Sequence, residues 1–284
     1  EGKPFIISSA LIYTINATNI SSDNSEIKIV LGNDSIYHPG LQLKYVHEGV
    51  EKRKLTLIRG GQGSGASPYF NSYHKIDMVF EALSWRIGDD NINFGRLPGS
   101  TDSKAFFESQ NYFSKNRYDK LTGMGINPLP RIKSYVKKVG SRNFPAIDLA
   151  SYMGKILSDL IPLLYNLNNL GLITYNSAKE TVTVNPRMYR WLGARSGRMD
   201  YDVMQFISEP DKGTKYNASL SLLNYDLSME GIKSIVLSRA QGTRVFPDNG
   251  KIILKENRSF TFKGAILAGR AEIYGDEFSF DYDK

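Results

Sequence analysis

Hydrophobic residues recur with a period of two along most of this chain, and that rhythm is the strongest limit on its fold. Ile27-Lys-Ile-Val-Leu31, Leu41-Gln-Leu-Lys-Tyr45, Leu55-Thr-Leu-Ile58 and Ile76-Asp-Met-Val-Phe80 all follow it. Successive strand side chains point to opposite faces, so each run offers one apolar face and reads as a half-buried strand. Gly and Asn/Asp clusters punctuate the runs, as in Gly32-Asn-Asp34 and Gly88-Asp-Asp-Asn91. The pattern covers residues 4–97 and resumes from about residue 200. A helical period replaces it over 131–170, and over 102–119, where Phe106, Phe107, Tyr112 and Phe113 stand near helical spacing.

The expected fold is therefore mainly β with an inserted α+β unit, the β part being stacked-rung or sandwich-like. The expected domains are a β-rich region over 1–100, a helical connector and linker over 101–129, the α+β unit over 130–195, and a β-rich region over 196–284 that continues the first. The linker assignment rests on Gly123, Gly125, Pro128 and Pro130, and a short basic stretch is expected around Arg187–Trp191. An internal echo joins the two β regions. Gly32-Asn-Asp-Ser-Ile36-Tyr37-His-Pro-Gly-Leu41-Gln-Leu43-Lys-Tyr45 and Gly269-Arg-Ala-Glu-Ile273-Tyr274-Gly-Asp-Glu-Phe278-Ser-Phe280-Asp-Tyr282 share one pattern of apolar and aromatic positions. Period-2 strands behind a Gly turn are the unit of a stacked sheet, so the echo predicts that both flanks build one β architecture.

Charge falls almost wholly on the inserted unit. Residues 131–195 carry ten Lys/Arg against three Asp/Glu, and the flanks are nearly balanced. A basic module suggests an anionic partner or a solvated face. The candidate anion contacts are Arg131, Lys133, Lys137, Lys138 and Arg142 before the central helices, and Arg187 and Arg190 after them. Such residues suit weak, non-specific contact with nucleic-acid phosphates.

Catalytic signatures are absent. Arg59-Gly-Gly-Gln-Gly-Ser-Gly65 lacks the Lys-Ser/Thr of a phosphate-binding loop and reads as a flexible connection. Gly88-Asp89-Asp90-Asn91 resembles the aspartate pair of pectin-cleaving β-helix hydrolases over four residues only, and a polar turn is the simpler reading. His38, His47 and His74 show no metal-site spacing and are expected at the surface or in turns. The chain has no cysteine, which rules out disulfides and thiolate metal sites. No apolar run reaches the ~20 residues of a membrane-spanning helix. No catalytic residue, metal or cofactor is expected. The closing residues Phe278–Lys284 still follow a strand pattern, which is expected of a piece of a longer chain.

Phe144-Pro-Ala-Ile-Asp148-Leu-Ala-Ser-Tyr-Met-Gly154, the stripe Leu160, Leu163, Leu164, Leu167 and Leu170, then Gly171, Leu172–Tyr175 and Thr181–Val184 give helix, turn, helix and hairpin in order. Residues 130–195 thereby resemble a winged-helix domain, whose third helix normally reads DNA with Arg, Lys, Asn or Gln near its N-terminus. Here residues 157–170 contain no Arg or Lys; Asp159 and Pro162 occupy that end, and Asn166, Asn168 and Asn169 lie at the other. Leu163 and Leu167 are expected in the core. The strings Pro68-Tyr-Phe-Asn-Ser-Tyr-His-Lys-Ile-Asp-Met78, Asn224-Tyr-Asp-Leu227 and Gly275–Tyr282 resemble parts of a large uncharacterised β-rich protein family of Bacteroidetes. The resemblance implies an internal segment of a longer protein, with a cell-envelope or periplasmic location favoured, and implies no catalytic residue. The strand echo also looks loosely like the rungs of the lipopolysaccharide-transport β-taco, an analogy of fold alone. The expected function is a non-enzymatic structural or binding segment whose winged-helix-like unit packs or contacts protein. The alternatives are a nucleic-acid-binding winged-helix protein and a carbohydrate-active β-helix enzyme.

Overall fold

A computed structural model describes residues 4–49, 52–100, 104–122, 125–211 and 216–283. The fold is mainly β, and the chain separates into two compact units. Residues 1–60, 69–110 and 204–284 form a sheet unit, and residues 61–68 and 111–203 form a helical unit.

The sheet unit holds β1 (Ile6–Ala10), β2 (Thr14–Ile15), β3 (Asn19–Leu31), β4 (Asp34–Val46), β5 (Lys54–Arg59), β6 (Tyr69–Asn71), β7 (Ile76–Val79), β8 (Ala82–Arg86), β9 (Asn91–Gly95) and β10 (Ala105–Ser109). The helical unit follows with α1 (Lys115–Lys120), α2 (Pro128–Val139), β11 (Asn143–Pro145), α3 (Ala146–Tyr152), α4 (Leu157–Asn169), β12 (Ile173–Asn176), β13 (Thr181–Val184) and α5 (Pro186–Arg195). The sheet unit then resumes with β14 (Gln205–Ser208), β15 (Tyr216–Ser221), β16 (Leu227–Met229), β17 (Ile235–Ser238), β18 (Thr243–Leu254), β19 (Phe260–Ala268) and β20 (Ala271–Phe280).

Two routes of antiparallel pairing leave β4. Its C-terminal half pairs with β5, followed by β8, β9, β15, β16 and the end of β18. Its N-terminal half pairs with β6, followed by β7, β10 and β14. From β14 a bridge joins Ser208 to Ile232, and β17 pairs with the start of β18. Both routes therefore return to β18, which carries β19 and β20 beyond it. Inward residues from the two routes share one core; Phe80 stacks on Phe94 of β9 at 4.9 Å and on Tyr69 of β6 at 4.3 Å.

Period-2 alternation explains the register. Leu43, Leu57, Leu83, Phe94, Ala218, Met229, Ile252 and Phe262 stand opposite one another in succession across eight strands, and all are buried. A one-residue slip anywhere would turn one of these rows to solvent. Each Leu or Phe so exposed would forfeit roughly 1.5–3 kcal/mol.

The long strands carry register shifts where they pass from one route to the other. The register of β4 against β3 shifts at Pro39-Gly40, between the residues that pair with β6 and those that pair with β5. β18 bulges between Pro247 and Ile252, where Asn249 and Gly250 take φ of 51° and 64°. Opposite the bulge, Gly264 has φ 146°, and a Cβ there would collide with the Phe246 carbonyl oxygen. Only glycine fits both that conformation and that approach.

In the helical unit, Asn127 Oδ1 caps α2 by accepting from Leu129 N at 2.9 Å, Pro128 opens the helix, and Gly140 ends it at φ 69°. These are the expected uses of Asn, Pro and Gly at helix ends. Gly154 and Gly171, at φ 66° and 69°, turn the chain before and after α4. The strands form a sheet in the order β11-β13-β12. Leu160, Leu164 and Leu167 of α4 enter the core with Leu129, Ile132, Leu149 and Trp191. Leu163 is only half-buried, because the inward stripe runs i, i+4, i+7 from Leu160 and leaves it to one side.

Three local expectations are corrected. Residues 105–109 form a strand rather than part of a helix, because Phe106 and Phe107 lie between β7 and β14; only 115–120 is helical. The basic stretch around Arg187–Trp191 is helix α5. The expected linker residues Pro128 and Pro130 sit in the first turn of α2, and Gly123 lies outside the described residues.

Candidate functional site

The basic residues nominated from sequence separate into an exposed group and an engaged group. Lys133 and Lys137 stand one helical turn apart on α2, and both are exposed, as is Arg142 beyond its C-terminus. Lys138 is exposed but lies over the Tyr152 ring at 5.4 Å. Arg131 is half-buried, and its Nη2 donates to the Tyr152 carbonyl at 3.4 Å. Arg190 is half-buried. Arg187 is buried with its guanidinium 5.9 Å from the Trp191 ring centre, so it cannot belong to an exposed anion-binding face. Sequence reports the charge of Arg187 but not that α5 turns it into the core. The exposed cations that remain together are those of α2 and its end.

The face of α4 that a winged helix would turn to DNA carries Ser158, Asp159, Pro162, Asn166 and Asn169, all exposed. It has no cation to meet phosphate and an anion near its N-terminus. The most engaged polar residue of the helix points the other way. Asn168 is fully buried; its Nδ2 donates to the Gly63 carbonyl at 2.7 Å, and its Oδ1 accepts from Ser67 Oγ at 2.9 Å and Tyr175 N at 3.0 Å. The Gly-rich stretch is thus not a loose connection. Residues Gly63–Ala66 form a turn of 3-10 helix, and Gly63, Ser64, Ala66 and Ser67 are buried within the helical unit. Gly63 has φ 59°, and a Cβ there would press on Ser177 Oγ.

A second polar cluster lies in the sheet unit. Asn71 and His74, both fully buried, pair through Asn71 Nδ2 and His74 Nδ1 at 2.8 Å, and His74 N donates back to Asn71 Oδ1 at 3.1 Å. Burial pulls the His74 imidazole down to a pKa of about 4; the Tyr225 backbone and the Asp226 carboxylate oppose that shift more weakly. His74 is therefore neutral at pH 7. Asn257 N donates to the Tyr73 carbonyl at 3.0 Å, and the Tyr73 and Tyr225 rings meet edge-on at 5.4 Å. The Arg258 guanidinium sits 3.4 Å above the Tyr282 ring, while its Nη2 donates to Asn257 Oδ1. Lys75, Tyr225, Asn257 and Arg258 all have positive φ, four of the six non-glycine residues with this geometry among those described. Each such residue costs of order 1–3 kcal/mol unless its surroundings hold it. Three strings distant in the sequence meet here, through Tyr73-His74, Tyr225-Asp226 and Tyr282. Sequence could not show this, because the strings lie about 150 and 55 residues apart.

The remaining motifs take places in turns and strands. Gly88–Asn91 is the turn between β8 and β9, and the Asp89 carbonyl accepts from Trp85 Nε1 at 3.0 Å. His38 is buried in β4 and accepts from Gly40 N at 3.1 Å, so it lies neither at the surface nor in a turn, whereas His74 does lie in a turn, though a buried one. Among the described residues, no three His, Asp or Glu side chains gather in a metal-binding group, and no helix is long and apolar enough to cross a membrane. Compared with known proteins, the chain matches no family profile, no curated protein and no solved structure.

Proposed function

We propose that this chain is a non-enzymatic structural or binding segment of a larger β-rich, cell-envelope protein, and that its helical unit is a winged-helix-like module used for packing or protein contact. The order helix, strand, helix, helix, strand, strand in α2–β13, with β11 alongside β13, supports the module assignment. The observation that carries the functional reading is the division of α4: an outward face without cations and an inward Asn168 that binds the chain's own Gly63–Ser67 turn. Direct readout needs donors on the outward face near the helix start, and Asp159 and Pro162 stand there instead.

A nucleic-acid role is the second reading, favoured by exposed Lys133, Lys137, Lys138 and Arg142. It would be backbone contact without sequence preference. A β-helix carbohydrate enzyme has less support, because the strand ladders here are antiparallel whereas that fold stacks parallel coils. A titration against a random duplex pool at about physiological salt tests the first reading. Absence of sequence enrichment is expected. Recovery of a defined sequence, with affinity lost in Asn166→Ala or Asn169→Ala, would refute it. Uniform weak retention that vanishes when Lys137 and Lys138 are neutralised would place the basic helix on a phosphate backbone.

A further inference from the structure

The internal echo is a structural repeat. β3–β4 and β19–β20 are both hairpins with two-residue turns that open on a glycine, Gly32 at φ 64° and Gly269 at φ 62°. Glycine at the first turn position with positive φ suits a tight hairpin. Their registers coincide: Ile29↔Ile36 corresponds to Ile266↔Ile273, Ile27↔His38 to Gly264↔Gly275, and Ser25↔Leu41 to Phe262↔Phe278. A bulge interrupts both at the same step, between Ser25 and Ile27 in one and Phe262 and Gly264 in the other.

The two outer strands differ in what covers them. β4 is flanked by β5 along Leu41–Val46 and by β6 at Ile36–Tyr37, and Tyr37 stacks on Phe70 of β6. β20 pairs only with β19 among the described residues. Ile36 is 1% exposed and its counterpart Ile273 is 49% exposed, while Tyr274, the counterpart of Tyr37, is 74% exposed. An open edge with apolar side chains is a template for another strand. Residues 271–283 contain Glu272, Asp276, Glu277, Asp281 and Asp283 and no Lys or Arg. Like charges facing each other across a ladder destabilise it, so β20 is poorly suited to pair with β20 of a second copy.

We propose that the free edge of β20 is a β-augmentation site for an extended segment that alternates apolar residues with Lys or Arg, occupying the place that β5 and β6 take on β4. The inference goes beyond the reading above and does not depend on the role of the helical unit. The chain's own β5 comes close to that character: Arg53-Lys-Leu-Thr-Leu-Ile-Arg59 is basic at both ends, with Leu55 and Leu57 on one face and Thr56 between them.

The test uses a fluorescent peptide of sequence Arg53–Arg59 and the whole chain. The expected result is binding that weakens with salt, with amide-exchange protection gained over 271–283. Binding should fall at least tenfold in Glu272→Lys/Glu277→Lys, whose circular dichroism should be unchanged. A peptide with its basic residues replaced by Glu should not bind. The proposal is overturned if both peptides bind equally, if neither protects 271–283, or if the chain self-associates through β20 and so excludes the peptide.

Discussion

Acidification should weaken the sheet unit through one buried side chain. His74 is buried and neutral, with a pKa of about 4, whereas an unfolded chain binds its proton near 6.5. The unfolded state thus holds more protons between those values, and stability rises with pH across that interval. The contribution is fully present above pH 6.5 and is lost progressively as pH falls toward 4. Linkage gives a loss of about 2 kcal/mol at pH 5 and about 3 kcal/mol below pH 4, each pKa unit being worth about 1.4 kcal/mol. Glu209, held down to about 2 by Lys104 and Lys233, titrates lower, between its ordinary value and 2, so it does not obscure the window. Urea unfolding at pH 7.5, 6, 5 and 4.5 measures the effect. His74→Gln, which keeps an acceptor for Asn71 Nδ2, should start less stable and then lose the slope between pH 6.5 and 4.5. Parallel slopes in the two proteins would show that His74 is not the group responsible.

Further outcomes follow from the packing. Asn168→Ala removes three hydrogen bonds and should cost about 2–4 kcal/mol, with amide exchange in residues 61–68 accelerating before that of α4. Leu167→Ala should cost roughly 2–5 kcal/mol, and Leu163→Ala clearly less because that side chain is half-exposed, as thermal melting of the pair will show. Gly264→Ala, which drives a Cβ into the Phe246 carbonyl at positive φ, should cost at least about 3 kcal/mol in chemical denaturation; a loss under 1 kcal/mol would mean the bulge relaxes easily.

What could be read from the sequence was what short-range periodicity encodes. Gly32 and Gly269 announced their hairpins because a two-residue turn and alternating side chains are properties of about a dozen residues. The α3–β13 run was legible for the same reason: Gly154 and Gly171 sit where helices must stop. Phe106 and Phe107 misled because adjacent aromatics fit either period, and only pairing with β7 and β14 decides between them. Arg187 misled because charge is local information and burial is not. His74, Tyr225 and Arg258 were invisible as a group, since the fold brings them together across more than 180 residues.

The pairing of β9 with β15 has a consequence for how the chain is built. Residues 91–95 find their neighbour only at 216–221, about 120 residues later, just as β10 waits for β14. At a synthesis rate of roughly 5–20 residues per second, the nascent sheet keeps an unpaired edge for about 6–25 s. Ile92 and Phe94 lie on that edge. Contacts between residues so far apart in sequence also form slowly. The helices, whose contacts are mostly near in sequence, can be complete by then. Yield in the cell should therefore depend on protecting β9 during that interval, and extending the stretch between β10 and β14 should raise aggregation without changing the stability of the finished protein.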